Sequence, residues 1–174
     1  MNSIKKIMIM MEDIEYGFLN KKGQNIFLDE NIEDIFSNEY YLMSPKELLS
    51  KKVGVCWDQV ELERKLFEDI NIPTKTYFIC IDDKEKLLSH TFLVYFKNNK
   101  VYWFEHSWAQ EKGIHKYKNL QELLLNVKFK FIKSHKNEIK SPSKVNIYKY
   151  DKPKFNISCS EFYNYIYTQE KIVL

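Results

Sequence analysis

The chain has 174 residues, enough for one domain over 1–174 that buries a core without disulfides or metal to staple it. Hydrophobic residues at 44% and charged residues at 29% exclude wholesale disorder, and 16% aromatic residues favour a strand-rich or mixed core. The net charge is +3, but Arg64 is the one arginine among 27 basic residues, so the bidentate base and phosphate contacts of a nucleic-acid partner are not expected.

Neither the Gly-x-Gly-x-x-Gly pattern nor a phosphate-binding loop occurs, and no cofactor is expected. The three cysteines, at 56, 80 and 159, lack the spacing of a disulfide framework or a structural zinc site, so Cys80 and Cys159 read as structural. No apolar run of about 18 residues suggests a membrane span, and the N-terminus lacks a secretory pattern. A reducing, cytoplasmic location is the expectation.

In chain order, the segment up to Tyr41 mixes short apolar clusters with charges and gives no clear element order. Ser44-Pro45-Lys46-Glu47 reads as a capping box opening a short helix. Residues 56–70 place apolar side chains at 60, 62, 66, 67 and 70, an amphipathic helix stopped by Asn71 and Pro73. Thr74 to Ile81 reads as a strand, and Asp82 to Leu88 as a charged connection. Thr91 to Phe96 and Val101 to Phe104 form a hairpin across Lys97-Asn98-Asn99-Lys100. Asn119 with Glu122 caps a short Leu-rich helix, Val127 to Ile132 reads as a strand, and Ser158 with Glu161 caps a helix running through Lys171. The lysine-rich stretch from 118 to 154 reads as a solvated face. The class is α+β.

Cys56 stands at the start of the amphipathic helix. The first helical turn presents unpaired N–H groups and partial positive charge, which favour a thiolate and can hold the oxyanion of a tetrahedral intermediate. A cysteine there equally suits a small buried side chain under a sheet. His90, at the start of a strand, adds an imidazole that can serve such a thiol as its base. With a two-residue turn at Asn98-Asn99, Phe96 pairs with Val101, Val94 with Trp103 and Phe92 with Glu105. Alternation then puts His90, Trp103 and Glu105 on one face, with Glu105 diagonal to His90 and His106 on the other face. A three-residue turn would exchange Glu105 for His106. The apolar surroundings of Glu105 make an unpaired charge costly, so it reads as the partner that fixes the His90 tautomer. A zinc site from Cys56, His90, Glu105 and His106 is disfavoured because the register separates the two histidines.

Three motifs then form a pattern: Gly54-Val55-Cys56-Trp57, Ser89-His90-Thr91-Phe92-Leu93-Val94-Tyr95, and Tyr102-Trp103-Phe104-Glu105-His106-Ser107-Trp108. In this order they resemble the transglutaminase-like superfamily, and Asn71-Ile72-Pro73 is similar to its Gly-Ile-Pro with Asn71 replacing Gly. The resemblance spans residues 45–117. It implies a papain-like α+β core with Cys56 as nucleophile, His90 as general base and acid, and Glu105 as the orienting acid where the family usually has Asp. It further implies attack on an amide of a peptide or protein side chain, through a thioester acyl-enzyme, with water or an amine as acceptor and no metal. Trp57, Trp103, Trp108 and His106 are the expected substrate-contacting residues. The second oxyanion donor stays open among Trp57, Gln59, Tyr40 and Tyr41. Asp58 reads as a first-turn carboxylate facing the helix dipole, and His115 as a surface residue near the cleft. The alternative is an inactive module of the same fold that binds a peptide or protein partner through its aromatic cleft.

Overall fold

The computed structural model describes residues 3–27, 32–81 and 88–174. Its elements in chain order are α1 (Ser3–Met11), β1 (Glu15–Tyr16), α2 (Ile32–Glu39), α3 (Pro45–Lys51), β2 (Val53–Gly54), α4 (Cys56–Asp69), β3 (Thr74–Ile81), β4 (Ser89–Lys97), β5 (Lys100–Glu105), β6 (Gly113–Tyr117), α5 (Leu120–Ser134), β7 (Val145–Tyr150), α6 (Cys159–Tyr167) and β8 (Glu170–Ile172). Most of the connection expected over Asp82 to Leu88 lies outside the described residues.

Local signals set the element ends. Ser44 and Glu47 exchange hydrogen bonds at the start of α3, with Pro45 in the first turn, as the capping box requires. At the far end of α4, Ile72 N–H donates to Phe67 C=O at 3.1 Å and Asn71 N–H to Glu68 C=O at 3.0 Å. That is a Schellman stop, with Asn71 left-handed at φ 55°. Asparagine tolerates this conformation better than other side chains, which is why Asn71 can stand where a glycine is usual. Asn98 and Asn99 both have positive φ, the type I′ turn whose twist matches a two-residue hairpin. The register follows: Phe96 pairs with Val101 and Val94 with Trp103.

Six strands form one antiparallel sheet in the order β6-β5-β4-β3-β7-β8, so the class is α+β. One face carries Tyr77, Ile79, Phe92, Val94, Trp103 and Ile147 and packs on Leu123, Val127 and Phe131 of α5. The other face meets α4 in two clusters. Leu93, Tyr95 and Phe104 pack on Leu62 and Phe67 together with α1, while Phe78, Cys80 and Tyr150 pack on Trp57, Val60 and Phe162 of α6. A separate parallel pair joins β1 to β2, with Glu15 opposite Val53 and Tyr16 opposite Gly54.

Three expectations are corrected. Val127 to Ile132 belongs to α5 rather than to a strand: the buried residues are Leu123, Leu124, Val127 and Phe131, at helical spacing, while Phe129 is 63% exposed. No Gly or Pro interrupts the run after the Asn119 cap, so the helix continues to Ser134. The C-terminal helix ends at Tyr167, and Glu170–Ile172 pairs with β7. Within the lysine-rich stretch, β7 is an interior strand that buries Val145 and Ile147 on one face and Tyr148 and Tyr150 on the other.

Arg64 lies inside this framework. Its guanidinium donates to both oxygens of Glu61, at 3.0 and 3.2 Å, and to Thr76 Oγ1 at 2.6 Å, and Thr76 in turn donates to Tyr150 C=O at 2.7 Å. The arginine therefore ties α4 to β3 and β7. Removing it leaves buried Glu61 without its cation, with only Tyr150 Oη still donating to it at 3.4 Å, a loss of about 3–5 kcal/mol. Arg64→Met is expected to lower the unfolding free energy extrapolated from urea titration by that order, with the native circular dichroism spectrum retained before the transition.

Candidate active site

The site begins at the N-terminus of α4. Gly54 is required there by close approach: a Cβ would come within 2.5 Å of Leu48 Cδ1 and 3.0 Å of Asp58 Cβ. Asp58 is buried and accepts from Val55 N–H at 3.0 Å, Met43 N–H at 2.9 Å and Tyr40 Oη at 2.8 Å. Burial pushes its carboxyl up to about 7 even though these three hydrogen bonds pull the other way. Its role is thus to clamp the first turn of α4 to the 40–43 segment, more than to face the helix dipole from solvent. Gln59 adds a second brace, donating from Nε2 to Gly54 C=O at 2.9 Å while its Oε1 meets His106 Nδ1 at 2.7 Å. The amide oxygen can only accept, so Nδ1 carries the hydrogen; burial lowers the His106 pKa, in keeping with a neutral ring.

Cys56, the first residue of α4, lies close enough to His90, the second residue of β4, for its thiol to act on the imidazole electrostatically. His90 Nε2 lies 2.8 Å from Glu105 Oε2, which leaves Nδ1 for the thiol. Both rings of partners are shielded: His90 is 8% exposed and Glu105 2%. The carboxylate is matched donor for donor. Trp103 Nε1 donates to Oε2 at 3.1 Å, while Ser107 Oγ and Trp108 N–H donate to Oε1 at 3.1 and 2.8 Å. The turn at 107–108 brings both donors that meet the carboxylate's second oxygen.

Tyr16, which the sequence reading passed over, completes the group. Its phenol stands beside Cys56: the two line one pocket, and the thiol acts on the hydroxyl electrostatically. Pairing of β1 with β2 places it there, opposite Gly54 and two residues before the cysteine. Burial holds the phenol well above its usual range, so it keeps its proton. The signal in the sequence was faint: Gly17, one of only four glycines, packs against Asn25 where a Cβ would collide.

Two cavities open on the site. A pocket of about 180 Å³ is lined by Cys56, Val55, Trp57, Phe18, Ile32 and Phe36, and a cleft of about 680 Å³ by His90, Trp108, Ser107, Gln110, Ser134 and His135. Tyr16, Phe27 and Ser89 line both. Of the expected substrate contacts, Trp57 and Trp108 reach these spaces; Trp108 also stands edge-on to His90 at 5.3 Å. Trp103 and His106 line neither. Trp103 is fully buried beneath Glu105, and His106 points to α4 because it occupies the opposite sheet face. His115 packs its ring 4.8 Å from Trp103 and bonds Glu111 C=O. Tyr40, Gln59 and Asp58 are committed to the bracing contacts above, while Tyr41 is 51% exposed.

Glu63, one turn beyond Gln59, was also missed. It is buried, its Oε2 has no partner among the described residues, and burial with the nearby Glu105 charge holds it well above the carboxylate range. Among the described residues no three His, Cys, Asp or Glu side chains group as a metal site, and no helix is long and apolar enough to cross a membrane.

Compared with known proteins, the chain matches no family model and no curated protein sequence.

Burial alone would lower the His90 pKa, but the charges of Glu105 and Cys56 and their hydrogen bonds outweigh it and push the imidazole up to about 10. Because the folded value lies above the ordinary 6.5 of a histidine, His90's contribution to stability is whole below about pH 6.5 and is lost as pH rises through about 10. Imidazole NMR is expected to show His90 still protonated at pH 8, and Glu105→Gln to bring its titration down toward neutrality. A ring that titrates near 6.5 in the native protein would contradict this electrostatic arrangement.

Proposed function

We propose that this chain is a cysteine acyl hydrolase or acyl transferase with a transglutaminase-like, papain-like core, acting on an amide bond. The observation that carries the reading is the placement of Cys56 at a helix N-terminus beside His90, whose Nε2 is held by Glu105 at 2.8 Å.

In this reading the proton of the Cys56–His90 pair rests on the imidazole, and the sulfur attacks the carbonyl carbon as a thiolate. Glu105 holds the ring by Nε2 and stabilises the imidazolium that results. The oxyanion forms beside the Cys56 N–H, and Tyr16 supplies the second donor because its neutral hydroxyl stands beside Cys56. The imidazolium then gives its proton to the leaving nitrogen, the C–N bond breaks, and a thioester remains on Cys56. Water or an amine, deprotonated by the same imidazole, releases the acyl group. The aromatic side chains at the cleft would also suit a module that only binds a peptide, and the activation of Cys56 separates the two.

Iodoacetamide labelling followed by peptide mass spectrometry tests this. Cys56 is expected to alkylate at pH 6 far faster than Cys80, which is fully buried, and Cys159, whose thiol burial pushes up to about 11. His90→Ala should abolish the difference; a Cys56 no faster than the other two in the native protein would remove the enzyme reading. Tyr16→Phe is expected to lower acylation of Cys56 by p-nitrophenyl acetate about 10²-fold, the usual loss for one oxyanion donor. It should change iodoacetamide alkylation, which forms no oxyanion, far less than acylation.

A further inference from the structure

The two cavities meet the candidate triad at different atoms. Cys56 lines the small pocket and not the cleft; His90 lines the cleft and not the pocket. An acyl transfer imposes a direction on such an arrangement. The carbonyl carbon must sit on the sulfur, and the leaving nitrogen must sit where the imidazolium can protonate it. The leaving amine therefore lies on the His90 side, and the acyl chain extends the opposite way from the carbonyl, past Cys56.

We propose that the pocket beside Cys56 is the acyl site and the cleft beside His90 is the amine site, so that the substrate is an amide with an apolar acyl part and a polar amine part. This deepens the function proposed above and rests on its assignment of Cys56 and His90. The pocket walls are Phe18, Ile32, Phe36, Val55 and Trp57, with Glu33 the one charged side chain among the described residues that line it. Such a surface rewards hydrocarbon, and Glu33 opposes an acyl chain ending in a carboxylate. Size narrows the class further. An apolar cavity of about 150 Å³ accommodates a benzene ring, so about 180 Å³ suits a phenyl ring with a short spacer or a chain of six carbons. The cleft mixes Phe27, Trp108 and Phe131 with Ser89 and Gln110, hydrogen-bonding groups that the small pocket lacks apart from the shared Ser89 and that suit a polar amine. Tyr16 and Ser89 stand at the junction of the two, where the scissile carbonyl must lie.

The test holds the leaving group constant and varies the acyl chain. p-Nitrophenyl acetate, hexanoate, 3-phenylpropanoate and succinate are reacted with the full chain, and Cys56 acylation is followed by intact mass, each rate divided by that of the same ester with free cysteine. Hexanoyl and 3-phenylpropanoyl are expected to exceed acetyl by about tenfold or more, the discrimination an apolar pocket supplies, with succinyl slowest. Ile32→Trp should remove the advantage of the longer chains while sparing the acetyl rate. Phe27→Ala, at a residue 45% exposed, provides a second wall variant that does not cut into the core and should likewise reduce the longer-chain advantage. Equal rates for all four esters, with Cys56 labelled in a His90-dependent manner, would overturn the acyl-pocket assignment and leave the triad standing. Absence of acylation by any ester while iodoacetamide labelling stays His90-dependent would do the same. Loss of both acylation and His90-dependent labelling would bring down the triad and the pocket together.

Discussion

A carboxylate at 2% exposure must be met by donors on every side, and Glu105 imposes that demand on everything around it. Four groups answer: the Trp103 indole, the Ser107 hydroxyl, the Trp108 amide and the His90 ring. Three of them come from within three residues of Glu105 itself, so the end of β5 and the turn after it are shaped as a receptacle for one side chain. The fourth is the only one that can also reach another functional group. Once the first three are in place, His90 is held by a partner that cannot move, and its remaining nitrogen has a fixed direction. Trp108, edge-on to the ring, closes the other side.

The opposite half of the site is fixed from α4. A cysteine in a first helical turn is useful only if that turn is immobile, and three contacts hold it: Asp58 back to Val55, Met43 and Tyr40; Gln59 to Gly54 and across to His106; and the packing of Gly54 against Leu48. The His106 contact matters because His106 follows Glu105 directly. Gln59 thereby locks the helix that carries the thiol to the strand that carries the acid, across opposite faces of the sheet. Tyr16 arrives by a third route, through two residues of parallel pairing to the strand that precedes Cys56.

What the sequence disclosed and what it withheld divide along a physical line. Features set by neighbours in the chain were legible: the Ser44 capping box, the span of α4, the Asn98-Asn99 turn and the register that brings Glu105 rather than His106 to His90. Features set by distant packing were not. Strand β7 alternates correctly, but Tyr148 and Tyr150 are apolar toward a face that only α4 and α6 create, so its sequence looks polar and mixed. Phe129 is a solvent-exposed aromatic in α5, and it made a helical stretch look like an alternating strand. Tyr16 lies forty residues before Cys56, on a two-residue strand with no propensity signal of its own. The sheet face read for Trp103 is right, but Trp103 lies buried beneath Glu105 rather than at the cleft, and that burial depends on α5 closing over the face.

The four buried carboxyl groups on and against α4 show why the charge resides where it does. Each must avoid standing alone in a low-dielectric interior, and each uses a different means. Asp58 is surrounded by three donors and still has its pKa lifted to about 7 by burial. Glu61 is opposed by Arg64. Glu63 has no cation and one oxygen without a partner, and its strongly raised pKa favours the neutral acid. That leaves Glu105 as the carboxylate whose partner is an imidazole. If Glu63 were also charged, its field would compete for the His90 proton from the far side of the sheet; neutral, it leaves the local field to Glu105. The proton on His90 is therefore stabilised along a single direction, through Nε2 toward Glu105, and the nitrogen that faces Cys56 is the one through which that proton balance reaches the sulfur.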